Sequence, residues 1–247
     1  MSSDEPCKPD FIIIGAMKAA TSAIYEYLMQ HPRVIRRMPK ELHFFTLNYD
    51  KGLDWYLSQF NVAEKKRDRG LLIGEASPSY LTSKEAPKLI YQLLPDVKII
   101  VSLRNPTERA ISHYYHQLNR VKDEVRPVEV AFSSHEIENS AAIPGSKTNS
   151  YLQLGRYAPQ LQHWLAVFPP EQLLVLNYHQ LESNSERFIK KIFNFLDLED
   201  YQLNNLKKIY SNQYPSVPSA IIARLDSYYT NCDRELQDLI NMQLIKN

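Results

Sequence analysis

Cysteine is nearly absent from this 247-residue chain: Cys7 and Cys232 are its only two. Two cysteines make no disulfide framework, and no Cys-x-x-Cys or Cys/His spacing points to zinc. Net charge is scarce as well. Lysine and arginine total 29 against 28 aspartates and glutamates, a formal charge of +1, so no global field draws the chain to nucleic acid or a membrane surface. An anionic ligand must then be held by a local cluster of donors. The polar opening Met1–Pro9 lacks the apolar core of a signal peptide, and no later stretch approaches transmembrane length. A cytoplasmic location is the expectation, with neither nucleic acid nor membrane as partner. No internal repeat or low-complexity tract is apparent.

What is present suits a globular enzyme-sized unit. A hydrophobic share of 44% with 23% charged residues is enough to bury a core, and the length fits one domain over 1–247 with a polar tail at 1–9. Four short apolar runs, Phe11–Ile14, Leu71–Ile73, Val97–Leu103 and Leu173–Leu176, mostly lack alternation, as strands covered on both faces do. Helical patterns separate them. Ala86, Leu89, Ile90, Leu93 and Leu94 share one face; so do Leu161, Trp164, Leu165 and Phe168, and again Phe188, Ile189, Ile192, Phe193 and Leu196. The alternation predicts an α/β fold, a central parallel sheet with helices on both faces. Ligands bind such sheets beyond the carboxyl ends of the strands. The polar segment 119–150, with Pro127, Pro144 and Gly145, reads as a partly helical excursion over the site.

After the first run comes Gly15-Ala16-Met17-Lys18-Ala19-Ala20-Thr21-Ser22, then a helical pattern with Ile24 and Leu28 facing inward. Small residues admit an anion close to the backbone. The free N–H groups of a helix start, the Thr21 and Ser22 hydroxyls and the Lys18 charge supply donors. The Walker A pattern does not fit, because Ala20 precedes Thr21 and the lysine lies three positions before it. Taken alone, the loop reads equally as a phosphate cradle or as a capped helix with a solvated lysine.

The run Val97–Leu103 delivers Arg104-Asn105-Pro106, followed on a helix by Arg109, Ser112, His113 and Tyr114. An arginine fork with a serine hydroxyl can grip phosphate; the plainer alternative is a structural ion pair and a solvated serine. In Pro39-Lys40-Glu41-Leu42-His43-Phe44-Phe45, a carboxylate and an imidazole lie among apolar groups. Desolvation raises the pKa of Glu41 and makes it a stronger base, while a nearby Lys18 counters the shift. The plainer alternative is a surface glutamate and a hydrogen-bonded histidine beside core aromatics.

Together and in this order, the segments resemble the PAPS-dependent sulfotransferases, in their heparan-sulfate and bacterial branch. Lys18 to Ser22 is similar to the family's Lys-Gly-Gly/Ala-Thr-Ser/Thr loop, Lys40 to Phe45 to its Lys-Glu-x-x-Phe-Phe segment, and Arg104 to Tyr114 to its Arg-Asn-Pro-x-x-Arg-x-x-Ser-x-Tyr. Further matches run through Gly155 to Phe168-Pro169, Leu173 to Tyr178, Phe195 to Leu198 and Tyr214-Pro215. The resemblance implies a P-loop-like sheet, PAPS as sulfate donor, PAP as product and no metal. It implies that Lys18, Ala19, Ala20, Thr21 and Ser22 hold the 5′-phosphosulfate, and that Arg104 and Ser112 hold the 3′-phosphate, with Tyr214 in the last donor loop. Glu41 is then the general base, His43 the reserve base beside it, and Lys18 the group that steadies the departing phosphate oxygen. The transfer is in line.

Three departures bear on the acceptor and the loop. Ala20 replaces the more usual glycine, which is tolerable if its backbone stays helical. Ala76 stands where many heparan-modifying members have lysine. The last loop, Tyr210-Ser211-Asn212-Gln213-Tyr214, lacks their basic character. A neutral sugar or small-molecule alcohol is therefore the favoured acceptor, with His43, Ser77, Tyr80 and the 119–150 excursion lining its cleft. Ser77-Pro78 also reads as a simple turn and Tyr80 as core, and Tyr157 and Trp164 read as packing residues. The alternative function is a PAP- or PAPS-binding sensor or scaffold without catalysis. A P-loop kinase fits poorly, since the lysine is misplaced and no aspartate after a strand is set to hold Mg²⁺.

Overall fold

The structure, a computed structural model, describes residues 6–68, 70–142, 146–204 and 214–243. In chain order its elements begin with β1 (Phe11–Gly15), α1 (Thr21–Leu28), α2 (Phe44–Leu47), α3 (Leu53–Ser58), α4 (Ala63–Arg67), β2 (Gly74–Ala76), α5 (Ala86–Leu93) and β3 (Lys98–Leu103). They continue with α6 (Pro106–His116), α7 (Val128–Ala131), α8 (Ser134–Asn139), α9 (Lys147–Gln153), α10 (Tyr157–Leu165), β4 (Leu173–Asn177), α11 (Tyr178–Ser183), α12 (Ser185–Phe195) and α13 (Ser219–Gln243). Two compact units emerge, Met1–Leu103 with His163–Tyr210, and Arg104–Gln162 with Ser211–Asn247. Among the described residues no helix is long and apolar enough to cross a membrane.

The first unit is built on a parallel sheet of order β2-β1-β3-β4, with Phe11 opposite both Gly74 and Lys98, and Ile99 opposite Leu173. β1 is buried along its whole length, as its unbroken Phe-Ile-Ile-Ile run requires. β4, at the sheet edge, is half-buried at its centre. On one side Ile24, Tyr25 and Leu28 of α1 join Phe188, Ile189, Ile192 and Phe193 of α12 in a single core with Phe11, Ile13 and Ile100. Each such side chain withdrawn from water contributes about 1.5–3 kcal/mol before chain entropy is counted. The predicted faces hold: Ile90 and Leu94 are buried after β2, and Leu161, Trp164 and Phe168 along and beyond α10. Trp164 Nε1 donates to Leu81 O at 3.2 Å, and Leu81 N in turn donates to Ile14 O at 2.9 Å. That seat explains Gly15, where a β-carbon would lie 2.9 Å from the Leu81 β-carbon at φ +154°.

Two expectations change. The strand foreseen at Leu71–Ile73 lies instead at Gly74–Ala76. Leu72 pairs with the 33–35 segment, accepting from Ile35 N and donating to Arg33 O, both at 2.7 Å, and Ile73 N donates to the Asp10 carboxylate at 2.8 Å. The polar tail also ends early, for Cys7 and Pro9 are buried.

The second unit packs α6 with α9 and α13 around Tyr114, Phe132, Tyr151, Leu225 and Tyr229. Pro106 opens α6, and the Asn105 side chain accepts from Glu108 N at 3.0 Å, an N-cap. The 119–150 segment carries α7, α8 and the start of α9, as its partly helical reading requires. Arg126 ties it together, pairing with Glu124 at 2.8 Å and Glu136 at 2.7 Å. Pro144 and Gly145 lie outside the described residues.

Candidate active site

The first unit's loop after β1 turns on two residues in left-handed conformation, Lys18 at φ +70° and Ala20 at φ +65°. Ala19 N donates back to Ala16 O at 3.0 Å, and Ala16 N to Ser102 O of β3 at 2.8 Å. α1 then starts at Thr21 with Ile24 N donating to Ala20 O, and no side chain caps it. The amides of the first turn, next to Thr21, Ser22 and Lys18, are therefore set for an anionic oxygen. These residues fit a phosphosulfate group. Ala20, however, does not keep the helical backbone expected of it. It adopts a left-handed geometry that favours glycine, at a cost of about 1–2 kcal/mol for the β-carbon.

The segment after α1 brings Glu41 and His43 together. His43 Nε2 donates to Glu41 Oε2 at 3.0 Å and Lys40 Nζ to Oε1 at 2.5 Å, while His43 Nδ1 meets Ser79 Oγ at 2.8 Å. Ser79 Oγ in turn lies 2.8 Å from Thr46 Oγ1. The His43 hydrogen bond, with Lys40 adding its own, holds the Glu41 carboxyl down at about 2 although burial pushes it up. The desolvation expected to raise Glu41 is thus overruled by its neighbours, and the carboxylate stays ionised throughout the neutral range. Lys40 O accepts from Ala76 N at 3.0 Å, so the whole segment rides on the carboxyl end of β2.

Ser77 and Tyr80, expected to line an acceptor cleft, are fully buried instead. Their hydroxyls are committed to Glu75, Ser77 Oγ donating at 2.6 Å and Tyr80 OH at 3.1 Å. Tyr157 and Trp164 are buried as packing residues. Ser79, Thr46 and Glu75 belong to the site without any motif announcing them; only spacing in the fold joins them to Glu41 and His43.

In the second unit, Arg104 Nε donates to Glu108 Oε2 at 3.0 Å, one helical turn along. The pair fixes the guanidinium at the start of α6, and both readings of Arg104 begin from it. Ser112 Oγ lies 2.9 Å from Tyr214 OH, and the Tyr214 ring stacks on Tyr115 at 4.8 Å between centroids. Two of the residues implied as donor contacts, far apart in sequence, thus meet. Tyr210 to Gln213 lie outside the described residues.

The profile of the sulfotransferase domain matches residues 8–235, and this chain belongs to the sulfotransferase family. It is 36% identical to human heparan sulfate glucosamine 3-O-sulfotransferase 3B1, across 85% of this chain and 51% of that protein. It is 30% identical to human bifunctional heparan sulfate N-deacetylase/N-sulfotransferase 3, across 97% of this chain and 31% of that one. The chain therefore spans about a third to a half of the length of these relatives. Among solved structures, a sulfotransferase from Alicyclobacillus acidocaldarius superposes with a TM-score of 0.80 at 25% identity, covering 95% of this chain and 96% of that one. The heparan-sulfate and bacterial branch and the P-loop-like parallel sheet both follow.

Two consequences can be measured. Ala20→Gly should raise the free energy of unfolding by up to about 1 kcal/mol, the strain relieved less the extra freedom of glycine when unfolded; a lower urea midpoint would contradict the strained loop. Because the folded Glu41 sits below its ordinary 4.5, its contribution to stability is present above pH 4.5 and is lost as pH falls toward about 2. Glu41→Gln should flatten that stretch of a stability–pH curve, and an unchanged slope would mean that the pair with His43 does not form.

Proposed function

We propose that this chain is a PAPS-dependent sulfotransferase acting on a hydroxyl of a neutral sugar or small-molecule alcohol. The observation that carries the reading is the ionised Glu41, held between His43 and Lys40 at the carboxyl end of β2. PAPS, when bound, supplies the sulfuryl group that passes in line to the acceptor oxygen. The loop Lys18–Ser22 holds the phosphosulfate end through its amides and hydroxyls, and Lys18 steadies negative charge on the departing phosphate oxygen. Arg104 and Ser112, with Tyr214 beside Ser112, hold the 3′-phosphate that sets PAPS apart from ATP.

Glu41 takes the acceptor proton. Both ring nitrogens of His43 are engaged, by Glu41 and Ser79, whereas a carboxylate oxygen keeps a second lone pair after one hydrogen bond. A carboxyl near 2 is a weak base toward a free alcohol. An oxygen forming a bond to sulfur grows far more acidic, so the proton moves late and a permanently ionised acceptor suffices. His43 then orients Glu41 and shares the arriving charge.

The acceptor class rests on charge. The named relatives act on heparan sulfate, which supports a carbohydrate acceptor. Here Ala76 is buried in β2 at the position where the family resemblance implies a lysine in many heparan-modifying members, and the net charge is +1; both favour an acceptor that is not a polyanion.

With labelled PAPS and a panel of p-nitrophenyl glycosides and simple alcohols, Glu41→Gln should lower kcat by about 10²–10⁴-fold while the Kd for PAP changes little. Near-normal turnover would remove Glu41 from its role. Arg104→Ala should weaken PAP about 10–100-fold more than adenosine 5′-phosphosulfate, by calorimetry; equal weakening of both would overturn the 3′-phosphate assignment.

A further inference from the structure

Glu75 is a fully buried carboxylate in the middle of β2, and the transfer as proposed makes no direct use of it. Donors converge on it from four residues. Ser77 Oγ lies 2.6 Å from Oε2, Tyr56 OH 2.9 Å and Tyr80 OH 3.1 Å from Oε1, and Leu42 N 3.4 Å from Oε2. Arg37 supplies the neighbouring positive charge, its guanidinium anchored on Gln59 by hydrogen bonds of 2.9 Å and 2.8 Å and on Pro39 O. Burial holds the Glu75 carboxyl above its ordinary value, and the hydroxyls of Ser77, Tyr56 and Tyr80 offset only part of that rise.

Ser77 passes this arrangement onward. A hydroxyl has one proton and two lone pairs. The proton goes to Glu75, and the oxygen accepts two amides, Leu42 N at 3.0 Å and His43 N at 2.9 Å. Its hydrogen-bonding capacity is then full. These amides belong to the two residues that follow Glu41. A second observation points the same way. His43 lies at φ +48°, ψ +27°, a left-handed conformation uncommon outside glycine, and its amide is held there by Ser77. That backbone turn sends the imidazole back toward Glu41, within 3.0 Å.

We propose that Glu75 is a positioning residue for sulfuryl transfer: through Ser77 it clamps the Leu42 and His43 amides and so fixes the Glu41–His43 pair. The proposal rests on the reading of Glu41 as the proton acceptor. The clamp needs an acceptor facing Ser77, whose own proton is the only one it has to give. In Glu75→Gln an N–H₂ must face either the Ser77 hydroxyl or the two tyrosine hydroxyls. Facing the tyrosine oxygens, it leaves Ser77 its acceptor and the clamp intact, so a side chain with no acceptor, as in Glu75→Ala, is the substitution that opens it.

The test separates positioning from mere folding. In Ser77→Ala, hydrogen exchange at the Leu42 and His43 amides should quicken by about tenfold or more, since each loses a buried acceptor. Turnover on the p-nitrophenyl glycoside panel should fall by about 10–100-fold in kcat, while the Kd for PAP stays within about twofold. Glu75→Ala, which leaves Ser77 no acceptor, should show the same split. Ser77→Thr, which keeps the hydroxyl, should recover most of the lost kcat. Unchanged amide exchange, kcat within about twofold of the unaltered protein, PAP affinity falling in step with kcat, or a threonine no better than alanine would each overturn the proposal. Should Ser77→Ala not fold, Tyr80→Phe removes one donor to Glu75 and keeps the ring; it must show the same split at smaller amplitude, and unaltered kcat there counts against the clamp. Unaltered protein that transfers no sulfate from PAPS sinks the proposed activity instead, and leaves amide exchange to decide the clamp.

Discussion

Taking a carboxylate wholly out of water costs several kcal/mol unless donors replace the lost solvent, and the surroundings of Glu75 are built around that requirement. Tyr56 comes from α3, Tyr80 from the turn after β2, Ser77 from the end of β2 and Leu42 from the segment ahead of α2. Three stretches, α3, the end of β2 with its following turn, and the segment ahead of α2, are thus drawn to one point. The aromatic rings carrying two of those hydroxyls are themselves packed, Tyr56 stacked on Phe44 at 4.6 Å and Tyr80 edge-on to Phe45 at 5.6 Å. Since Phe44 and Phe45 directly follow His43, the polar hub and the apolar wall are two sides of one construction. One sets where the backbone of the site runs, and the other keeps water from competing for its hydrogen bonds.

The same economy appears in the loop after β1, where the shortage of glycine has a structural price. The chain has six glycines, and only Gly15 serves the loop, at the point where Leu81 comes too close for any β-carbon. Lys18 and Ala20 make their left-handed turns without glycine's freedom. A loop strained in this way is selected against unless its geometry matters. The geometry that results, a tight turn into an uncapped helix start, is the one an anion needs.

Much of this was legible in sequence. The apolar runs marked three of the four strands almost to the residue, and the 3.6-residue periods marked the buried faces of α12 and of the stretch through Trp164. Both succeed because continuous burial leaves no room for polar side chains. β2 escaped for the opposite reason. Its central residue is Glu75, and a buried carboxylate looks exposed until the hydroxyls that satisfy it are seen. Ser77 and Tyr80 were misplaced by the same blindness, for a motif tells which residues cluster but not which way their hydroxyls turn. The Ser112–Tyr214 contact, 102 positions apart, has no local signal at all. Only the family resemblance brought the two into one list.

Glu41 shows where local and global reasoning part. Judged by its apolar neighbours, its carboxyl should rise; judged by its partners, it falls, because His43 and Lys40 outweigh the desolvation. The outcome shapes the chemistry that the site can support. A raised carboxyl would be partly protonated near neutrality and would act as base or acid according to pH. A depressed one stays an acceptor through the neutral range, and in the proposed transfer its weakness as a base would suit a hydroxyl that acidifies only as it bonds to sulfur. If Glu41 serves as the proposed proton acceptor, its negative charge would face an anionic donor, and the Lys40 ammonium paired with it would screen that repulsion. In the proposed role, a carboxyl held low with a cation beside it would accept a proton while repelling an anionic donor less.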